Sequence, residues 1–141
     1  MKSIELNNRI AIPVPGLGTY RLGRNDAEVE HAVRSALDAG YRHIDTATLY
    51  GNEKPIGKAL RESGIPREEL FVTTKLWGSD ILQGRITKAF DESRQKLDIG
   101  YVDLYLVHWP VKGKIVEAWH EMEKIYESGA VRAIGVSNHL I

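Results

Sequence analysis

The chain has 141 residues, with 19 Lys and Arg against 19 Asp and Glu, so its formal net charge is zero. This balance gives no electrostatic footprint for nucleic acid or an anionic membrane, and neither partner is expected. Hydrophobic residues make up 43% of the chain, which argues against disorder, and the lack of cysteine excludes disulfides and thiolate metal sites. The N-terminus shows no signal peptide, and no apolar run is long enough to span a bilayer, so we expect a cytoplasmic protein.

The first predicted element is a hairpin. Ser3–Leu6 and Arg9–Ile12 flank Asn7-Asn8, a dipeptide suited to the positive backbone angles of a tight turn. After the hairpin, apolar runs typical of strands begin near residues 14, 42, 70, 102 and 131. Their spacing of roughly 30 residues is that of a strand–helix unit.

Four amphipathic segments between these runs are predicted to be helices. Asn25 is expected to cap the first, with Glu28 three residues later as a partial capping box, and Asn52 is expected to begin the second. The expected buried faces are Val29, Ala32, Val33, Ala36 and Leu37 in the first helix, Leu82, Ile86, Ala89, Phe90, Ser93 and Leu97 in the third, and Val116, Trp119, Met122, Ile125 and Tyr126 in the fourth.

Alternating strands and helices indicate an α/β protein with a parallel sheet covered by helices. The pattern supplies five parallel strands and four helices after the hairpin. A closed (β/α)8 barrel needs about 250 residues, so the chain would hold only part of one. An open, doubly wound sheet is the alternative. No linker or second domain is apparent, and a single domain over residues 1–141 is expected.

Polar side chains cluster at the predicted C-terminal ends of consecutive strands. Asp45 ends the second strand, Tyr50 lies in the loop after it, Lys75 ends the third strand and His108 ends the fourth. In a barrel these ends open on one face, where active sites are built. Each residue alone has an ordinary explanation, such as a turn cap for Asp45 or a hydrogen-bonded structural histidine for His108. Four such accidents after consecutive strands are hard to accept.

The four side chains suit proton donation to an oxygen. A phenol has a reference pKa near 10, too high for easy proton release at neutral pH. A neighbouring ammonium favours the phenolate, and a carboxylate can hold the ammonium in place. A neutral imidazole could orient a substrate carbonyl. This set would protonate an oxygen while another group delivers hydride.

At these residues the sequence resembles the aldo-keto reductases. The matching segments are residues 40–47 (Gly-Tyr-Arg-His-Ile-Asp-Thr-Ala), 50–53 (Tyr-Gly-Asn-Glu), 75–77 (Lys-Leu-Trp), 103–110 (Asp-Leu-Tyr-Leu-Val-His-Trp-Pro) and 135–138 (Gly-Val-Ser-Asn). The resemblance runs from about Ile4 to Ile141. It implies the N-terminal part of a (β/α)8 TIM barrel, truncated after the fifth strand, without the later loops that bind the cofactor's phosphates.

The resemblance also implies roles for the site residues. Tyr50 would be the general acid, Lys75 and Asp45 would tune it, and His108 would orient the carbonyl. The expected cofactor, NADPH, would lie along Thr19 and Asp45, with Ser137 and Asn138 holding its carboxamide. The expected substrate pocket comprises Tyr20, Trp77, His108 and Trp109, although packing at the barrel rim is an equal alternative for Trp109.

The implied function is NADPH-dependent reduction of a small aldehyde or ketone, weakened in a truncated chain. A non-catalytic binding or regulatory subunit is one alternative. A structural half-barrel that pairs with another chain is a second, and self-association through the open side is expected. No metal is expected, because His120-Glu121 is followed by Lys124 where a zinc-binding helix needs a second histidine.

Overall fold

The N-terminal hairpin is present, but its second strand and its turn are not where the sequence predicts them. The strand was expected over Arg9–Ile12 and lies two residues later, so that Val14, expected near the start of the first sheet strand, ends it. The computed structural model describes residues 2–140. Strands β1 (Lys2–Glu5) and β2 (Ala11–Val14) pair antiparallel, with Glu5 opposite Ala11. The amide of Arg9 donates to the Leu6 carbonyl, and Arg9 itself has a φ of 67°. The prediction of a two-residue Asn7-Asn8 turn was therefore wrong: the loop has a third residue, and that residue takes the left-handed conformation.

In the described part of the chain, five parallel strands form the main sheet, in the order of the sequence. They are β3 (Gly16–Gly18), β4 (His43–Asp45), β5 (Phe71–Leu76), β6 (Val102–Val107) and β7 (Val131–Val136). A doubly wound sheet reverses its strand order at a switch point, whereas a barrel adds each strand beside the last. The sequential order confirms the partial (β/α)8 barrel and removes the doubly wound alternative.

Along the chain, the helices connect consecutive strands of the sheet. Residues 2–140 form five α-helices rather than the predicted four. They are α1 (Asp26–Asp38), α2 (Glu53–Arg61), α3 (Gly78–Leu82), α4 (Ile86–Leu97) and α5 (Ile115–Glu127). The cap of α1 is as expected, because the Asn25 side chain accepts from the Glu28 amide. The Glu28 carboxylate, however, accepts from the amide of Arg24 instead of that of Asn25.

The predicted third helix is split in two at Gly84, which has a φ of 63°. A positive φ cannot continue a right-handed helix, and glycine adopts it without steric cost. Leu82 belongs to the short helix before this break and is 67% exposed, so its assignment to the buried face was wrong. The amphipathic pattern continued through the break and concealed it.

The hydrophobic core lies between the outer face of the sheet and the helices. Its largest members come from both layers, namely Ile44, Val72, Leu76, Val102 and Tyr105 from strands and Val33, Ile56, Phe90, Leu97 and Met122 from helices. Two residues predicted to be buried on α5, Val116 and Tyr126, are exposed. None of the helices within residues 2–140 has the length and hydrophobicity needed to cross a membrane.

The N-terminal ends of the strands are joined by a buried carboxylate. Asp103, near the start of β6, is completely buried. Its Oδ2 accepts from Arg67 at 2.6 Å and from the Val72 amide at 2.8 Å, and its Oδ1 accepts from Arg132 at 3.0 Å. Arg67 also donates to the carbonyls of Ile99, Leu70 and Tyr101. This group links β5, β6 and β7 through hydrogen bonds to both oxygens of one buried carboxylate.

Candidate active site

The four predicted catalytic residues lie at the opposite, C-terminal edge of the sheet. Asp45 is the last residue of β4, Lys75 is the last but one of β5, and His108 directly follows β6. Tyr50 ends a single 3-10 turn, Thr48–Tyr50, between β4 and α2. Gly51 follows with a φ of 68°, which redirects the chain toward α2 at a position suited to glycine.

Lys75 and Asp45 form a buried ion pair. The Lys75 ammonium donates to Oδ1 of Asp45 and, at 2.9 Å, to the Thr46 carbonyl. The Lys75 side chain is 7% exposed, and that of Asp45 is 32% exposed. A buried ammonium requires such partners, since an unpaired charge in this position would destabilise the fold. The pair therefore fixes a positive charge at the strand ends.

Tyr50 lies between this charge and the imidazole of His108. The Lys75 Nζ is 5.2 Å from the centroid of the Tyr50 ring. The ring centroids of Tyr50 and His108 are 5.6 Å apart, with the rings at 80° to each other. The phenol is thus close to both an ammonium and an imidazole, as the sequence predicted from four separate segments.

His108 is buried, and its environment favours the neutral ring. Burial lowers the pKa of His108 below its ordinary value of 6.5, and the charge of Lys75 lowers it further, against an opposing effect of Asp45. Within residues 2–140, its Nδ1 atom is buried without a hydrogen-bond partner. Buried polar atoms without partners are rare in folded proteins and call for an explanation such as a functional role.

Two of the predicted substrate residues join this cluster. The Trp77 ring centroid is 5.4 Å from that of His108, and the Tyr20 centroid is 5.2 Å from that of Tyr50. Tyr20 is 59% exposed, so the aromatic group forms an accessible rim above the phenol. Trp109 is 51% exposed, and no ring contact joins it to the others in the described chain.

The predicted cofactor residues fall into two groups. Thr19 is completely buried, and its hydroxyl donates to the Asp45 carbonyl at 3.0 Å. Ser137 and Asn138 lie just beyond β7, where the Asn138 amide donates to the His108 carbonyl at 2.9 Å and to the Ser137 hydroxyl at 3.1 Å. Asn138 has a φ of 59° and is exposed. No group of acidic or histidine side chains suited to a metal ion occurs between residues 2 and 140.

Comparison with known proteins identifies the family. The family model of the Aldo/keto reductase family matches residues 16–141. The chain belongs to the aldo/keto reductase family. It is 52% identical over 135 residues to the 9,11-endoperoxide prostaglandin H2 reductase of Trypanosoma cruzi, and this match covers 96% of this chain and 47% of the relative. It is 43% identical over 136 residues to the glyoxal reductase of Bacillus subtilis, and this match covers 96% of this chain and 49% of the relative.

Solved aldo-keto reductases share the fold. An enzyme from a Medee basin deep-sea metagenome library superposes with a TM-score of 0.92 at 47% identity, over 99% of this chain and 51% of that protein. The aldo/keto reductase of Brucella melitensis gives a TM-score of 0.87 at the same 47% identity, and the superposition covers 99% of this chain and 54% of that protein. The chain thus spans about half the length of the aldo-keto reductases it matches. Its relatives are oxidoreductases by name, and the predicted family and fold are confirmed.

A buried polar layer beneath the site was missed by the sequence analysis. Thr46 donates to Oδ1 of Asn52 at 2.8 Å, and Asn52 donates to the Thr19 carbonyl at 2.8 Å. Glu53, next in the chain, accepts from Thr74 at 2.7 Å and from Ser93 at 3.1 Å. Asn52 was interpreted only as a helix cap, yet its side chain makes no capping bond. The available signal was its position directly after Tyr50-Gly51, between the site loop and α2.

Proposed function

We propose that this chain forms the catalytic half of an NADPH-dependent reductase of aldehydes or ketones. The observation that supports this most directly is the buried Lys75 ammonium, fixed by Asp45 and the Thr46 carbonyl, 5.2 Å from the Tyr50 ring. An ammonium in this place stabilises the negative charge that forms on a phenol as it gives up its proton. Proton donation to a carbonyl oxygen is the chemistry that this arrangement serves.

The side chains divide the reaction between them. Bound NADPH supplies the hydride that reduces the carbonyl carbon. The Tyr50 hydroxyl gives its proton to the carbonyl oxygen, and the phenolate regains a proton from solvent. Asp45 holds Lys75, and Lys75 stabilises the phenolate. His108, kept neutral by burial and by Lys75, donates a hydrogen bond that orients the carbonyl.

The residues beyond β7 suit a nicotinamide carboxamide. Asn138 uses its amide nitrogen on His108 and Ser137, which leaves its Oδ1 without a hydrogen bond among residues 2–140. That oxygen can accept from a carboxamide, and the Ser137 hydroxyl can donate to one. Thr19 fits a different role, because its completely buried hydroxyl donates to the Asp45 carbonyl and holds the end of β4 in place. Specificity for NADPH over NADH and cytoplasmic location stay predictions.

The substrate class follows from the rim. Tyr20 lies beside the Tyr50 ring and Trp77 beside the His108 ring, and this aromatic rim suits a small carbonyl compound with an apolar or planar part. The names of two relatives, a glyoxal reductase and a reductase of prostaglandin H2, show that related barrels accept both small and large oxygenated substrates. The proposal of a small aldehyde or ketone therefore rests on the rim alone, and we name no single compound.

The experiment uses a completed barrel, defined as residues 1–141 joined to the C-terminal half of the Medee basin relative. Loss of NADPH absorbance is measured with glyoxal, an aromatic aldehyde and a ketone, beside a Tyr50→Phe control. Turnover that requires Tyr50 supports the proposal. Binding of NADPH without turnover of any carbonyl would instead favour the non-catalytic binding subunit.

A polypeptide of residues 1–141 alone is proposed to self-associate. Strands β3 and β7 each have one neighbour within residues 2–140, so both present free backbone groups. The inner face is also open, because Leu104 and Leu106 of β6 are only half-buried. Val136 at the end of β7 is 48% exposed. Such a surface favours a second copy, or another chain, as a partner.

A further inference from the structure

The Lys75 ammonium is oriented by a backbone carbonyl as well as by a carboxylate. Of its three N–H groups, one donates to Asp45 and one to the carbonyl of Thr46, at 2.9 Å. Two acceptors in fixed places therefore hold the nitrogen, and its charge, at 5.2 Å from the centroid of the Tyr50 ring. The Asp45 carboxylate is partly exposed and can rotate, whereas a backbone carbonyl moves only if its peptide moves. The placement of Lys75 therefore depends on Thr46.

Thr46 is in turn held by Asn52. Its hydroxyl donates to Asn52 Oδ1 at 2.8 Å, and its amide donates to the Thr73 carbonyl at 2.8 Å. Asn52 is anchored at its other end, where Nδ2 donates to the Thr19 carbonyl at 2.8 Å. A continuous path of hydrogen bonds thus runs from the end of β3, through the start of α2, to the end of β4 and then to Lys75 on β5.

This path is shielded from water over its whole length. Thr19 and Thr46 are completely buried, Lys75 is 6% exposed and Asn52 is 7% exposed. Hydrogen bonds in such surroundings are stronger than in water, and an unmade one is costly. Asn52 stands at the N-cap position of α2, where its residue type normally caps the helix. Its side chain makes no capping bond and is used across the strand ends instead.

We propose that Asn52 and the Thr46 hydroxyl are positioning residues for carbonyl reduction, acting through the Thr46 carbonyl to aim the Lys75 ammonium at Tyr50. Neither touches the substrate. The inference rests on the proposed function for its kinetic consequence, but its structural part concerns Lys75 alone. Removing the Thr46 hydroxyl frees the peptide that Lys75 donates to and displaces the charge.

The test compares Thr46→Val with Thr46→Ser in the completed barrel. Valine matches threonine in shape but lacks the hydroxyl, whereas serine keeps it. Because small misplacements in an active site can lower rates up to a hundredfold, we expect Thr46→Val to lower kcat about tenfold. The KM for substrate and the Kd for NADPH should stay within about twofold, since neither ligand contacts Thr46. Thr46→Ser should recover most of kcat, and Asn52→Ala should resemble Thr46→Val.

Ser63→Ala is the control. It also removes a hydroxyl that is bonded to the backbone, here one that donates to the Leu60 carbonyl at 2.7 Å just beyond the end of α2. If the Thr46 bond served stability alone, Thr46→Val would lower the free energy of unfolding, as Ser63→Ala does, and would leave kcat of the folded protein unchanged. That result overturns the inference. It leaves the proposed function intact, because the parent barrel and its Tyr50→Phe variant report on that separately.

A second readout does not depend on activity. Lysine labelled with 13C at Cε gives an NMR signal for Lys75, assigned by its loss in Lys75→Met. Thr46→Val should shift this signal, whereas Thr46→Ser and Ser63→Ala should leave it in place. An unchanged Lys75 signal in Thr46→Val contradicts the inference even if the completed barrel reduces no carbonyl.

Discussion

The two ends of the sheet each hold a buried ion pair, and the pairs differ in how completely they are satisfied. At the N-terminal end, both carboxylate oxygens of Asp103 accept, from two arginines and a backbone amide. At the C-terminal end, Asp45 holds Lys75, but about a third of the Asp45 side chain is exposed. Beside it, Tyr50 is half-buried and His108 has a ring nitrogen without a partner among residues 2–140.

This difference indicates that the Arg67–Asp103 pair stabilises the fold, whereas the Lys75–Asp45 pair belongs to the candidate active site. Both carboxylate oxygens of Asp103 are occupied by donors within the protein, and the group lies at the edge of the sheet opposite the site. The group around Lys75 is held from below by Thr46 and faces an accessible aromatic rim. Burial alone would not distinguish them, since Asp103 and Lys75 are both buried. We infer that substitutions at the two ends affect different measurements.

The largest effect is expected at Tyr50 in the completed barrel. Tyr50→Phe removes the proton donor, and general acid catalysis is typically worth about 10²–10⁴ in rate. We expect kcat to fall by that amount, with Kd for NADPH within about twofold, because the phenol faces the substrate. The free energy of unfolding should change little. Near-normal turnover in Tyr50→Phe would show that another group donates the proton.

Asp103→Asn is expected to give the converse result. The substitution leaves Arg67 and Arg132 without their counter-charge, and breaking a buried pair costs about 3–5 kcal/mol. Urea unfolding should show that loss, while kcat of the folded protein stays unchanged. The matched control is Lys58→Ala, which breaks an exposed pair with Glu30 on the helix surface and should destabilise the fold far less. A large loss of kcat in Asp103→Asn would contradict the assignment of Asp103 to stability alone.

Lys75→Met tests whether the ammonium acts on Tyr50 or on the substrate. We expect kcat to fall about a hundredfold or more, at least as far as in Trp77→Ala, because the phenolate loses its stabilising charge. A variant with normal kcat and a raised KM would instead make Lys75 a substrate-positioning residue.

The sequence predicted the strands and the site better than it predicted the details of the helices and turns. The strand ends carry Asp45, Lys75 and His108, and parallel strands bring such ends together whatever the loops do. Local patterns failed where a single backbone angle decides the structure. The break at Gly84 and the left-handed Arg9 leave no mark on hydrophobic periodicity.

The polar layer beneath the site could not be predicted for a different reason. Asn52 has two uses open to it, a helix cap or a bridge between strand ends, and only the packing of α2 against the sheet selects the bridge. Glu53 would be expected on a solvated helix surface, yet it is 2% exposed and accepts from Thr74 and Ser93. Burial raises its pKa above the ordinary value of 4.5. Such contacts join segments distant in sequence.

A polypeptide of residues 1–141 alone should keep the hydrogen-bonded group around Asp103 and lose much of the cofactor binding at the Lys75 end. We expect it to sediment as a dimer or larger species, because β7 and the inner face lack cover within the described chain. It should bind NADPH about a hundredfold more weakly than the completed barrel, roughly 2.7 kcal/mol. Sedimentation and an NADPH titration on both proteins measure this. A compact monomer that binds NADPH as tightly as the completed barrel would contradict the prediction.

The smallest effect concerns two histidines that share a direction of pKa shift but lie in different surroundings. His43 bonds Thr73 at 3.0 Å and faces Gly16, where an added Cβ would lie 2.5 Å from its ring. Burial lowers its pKa below 6.5, as it does for His108. The unfolded chain therefore binds more protons than the folded one just below pH 6.5. Each neutral ring contributes stability that is present above that pH and lost as the pH falls through the lowered pKa.

The pH dependence of kcat should distinguish His43 from His108, although the pH dependence of the free energy of unfolding does not. In the completed barrel, His43→Gln should reduce the loss of unfolding free energy on acidification, since one ring no longer gains a proton on unfolding, and should leave the pH profile of kcat unchanged. His108→Gln should reduce the same loss and also alter the kcat profile, because His108 alone of the two lies 5.6 Å from Tyr50. Glu53 titrates with the opposite sign, but it is present in every variant and cancels in the differences. If the pH profile of kcat moved equally in both variants, protonation would act through the stability of the sheet. His108 would then have no separate role in orienting the carbonyl.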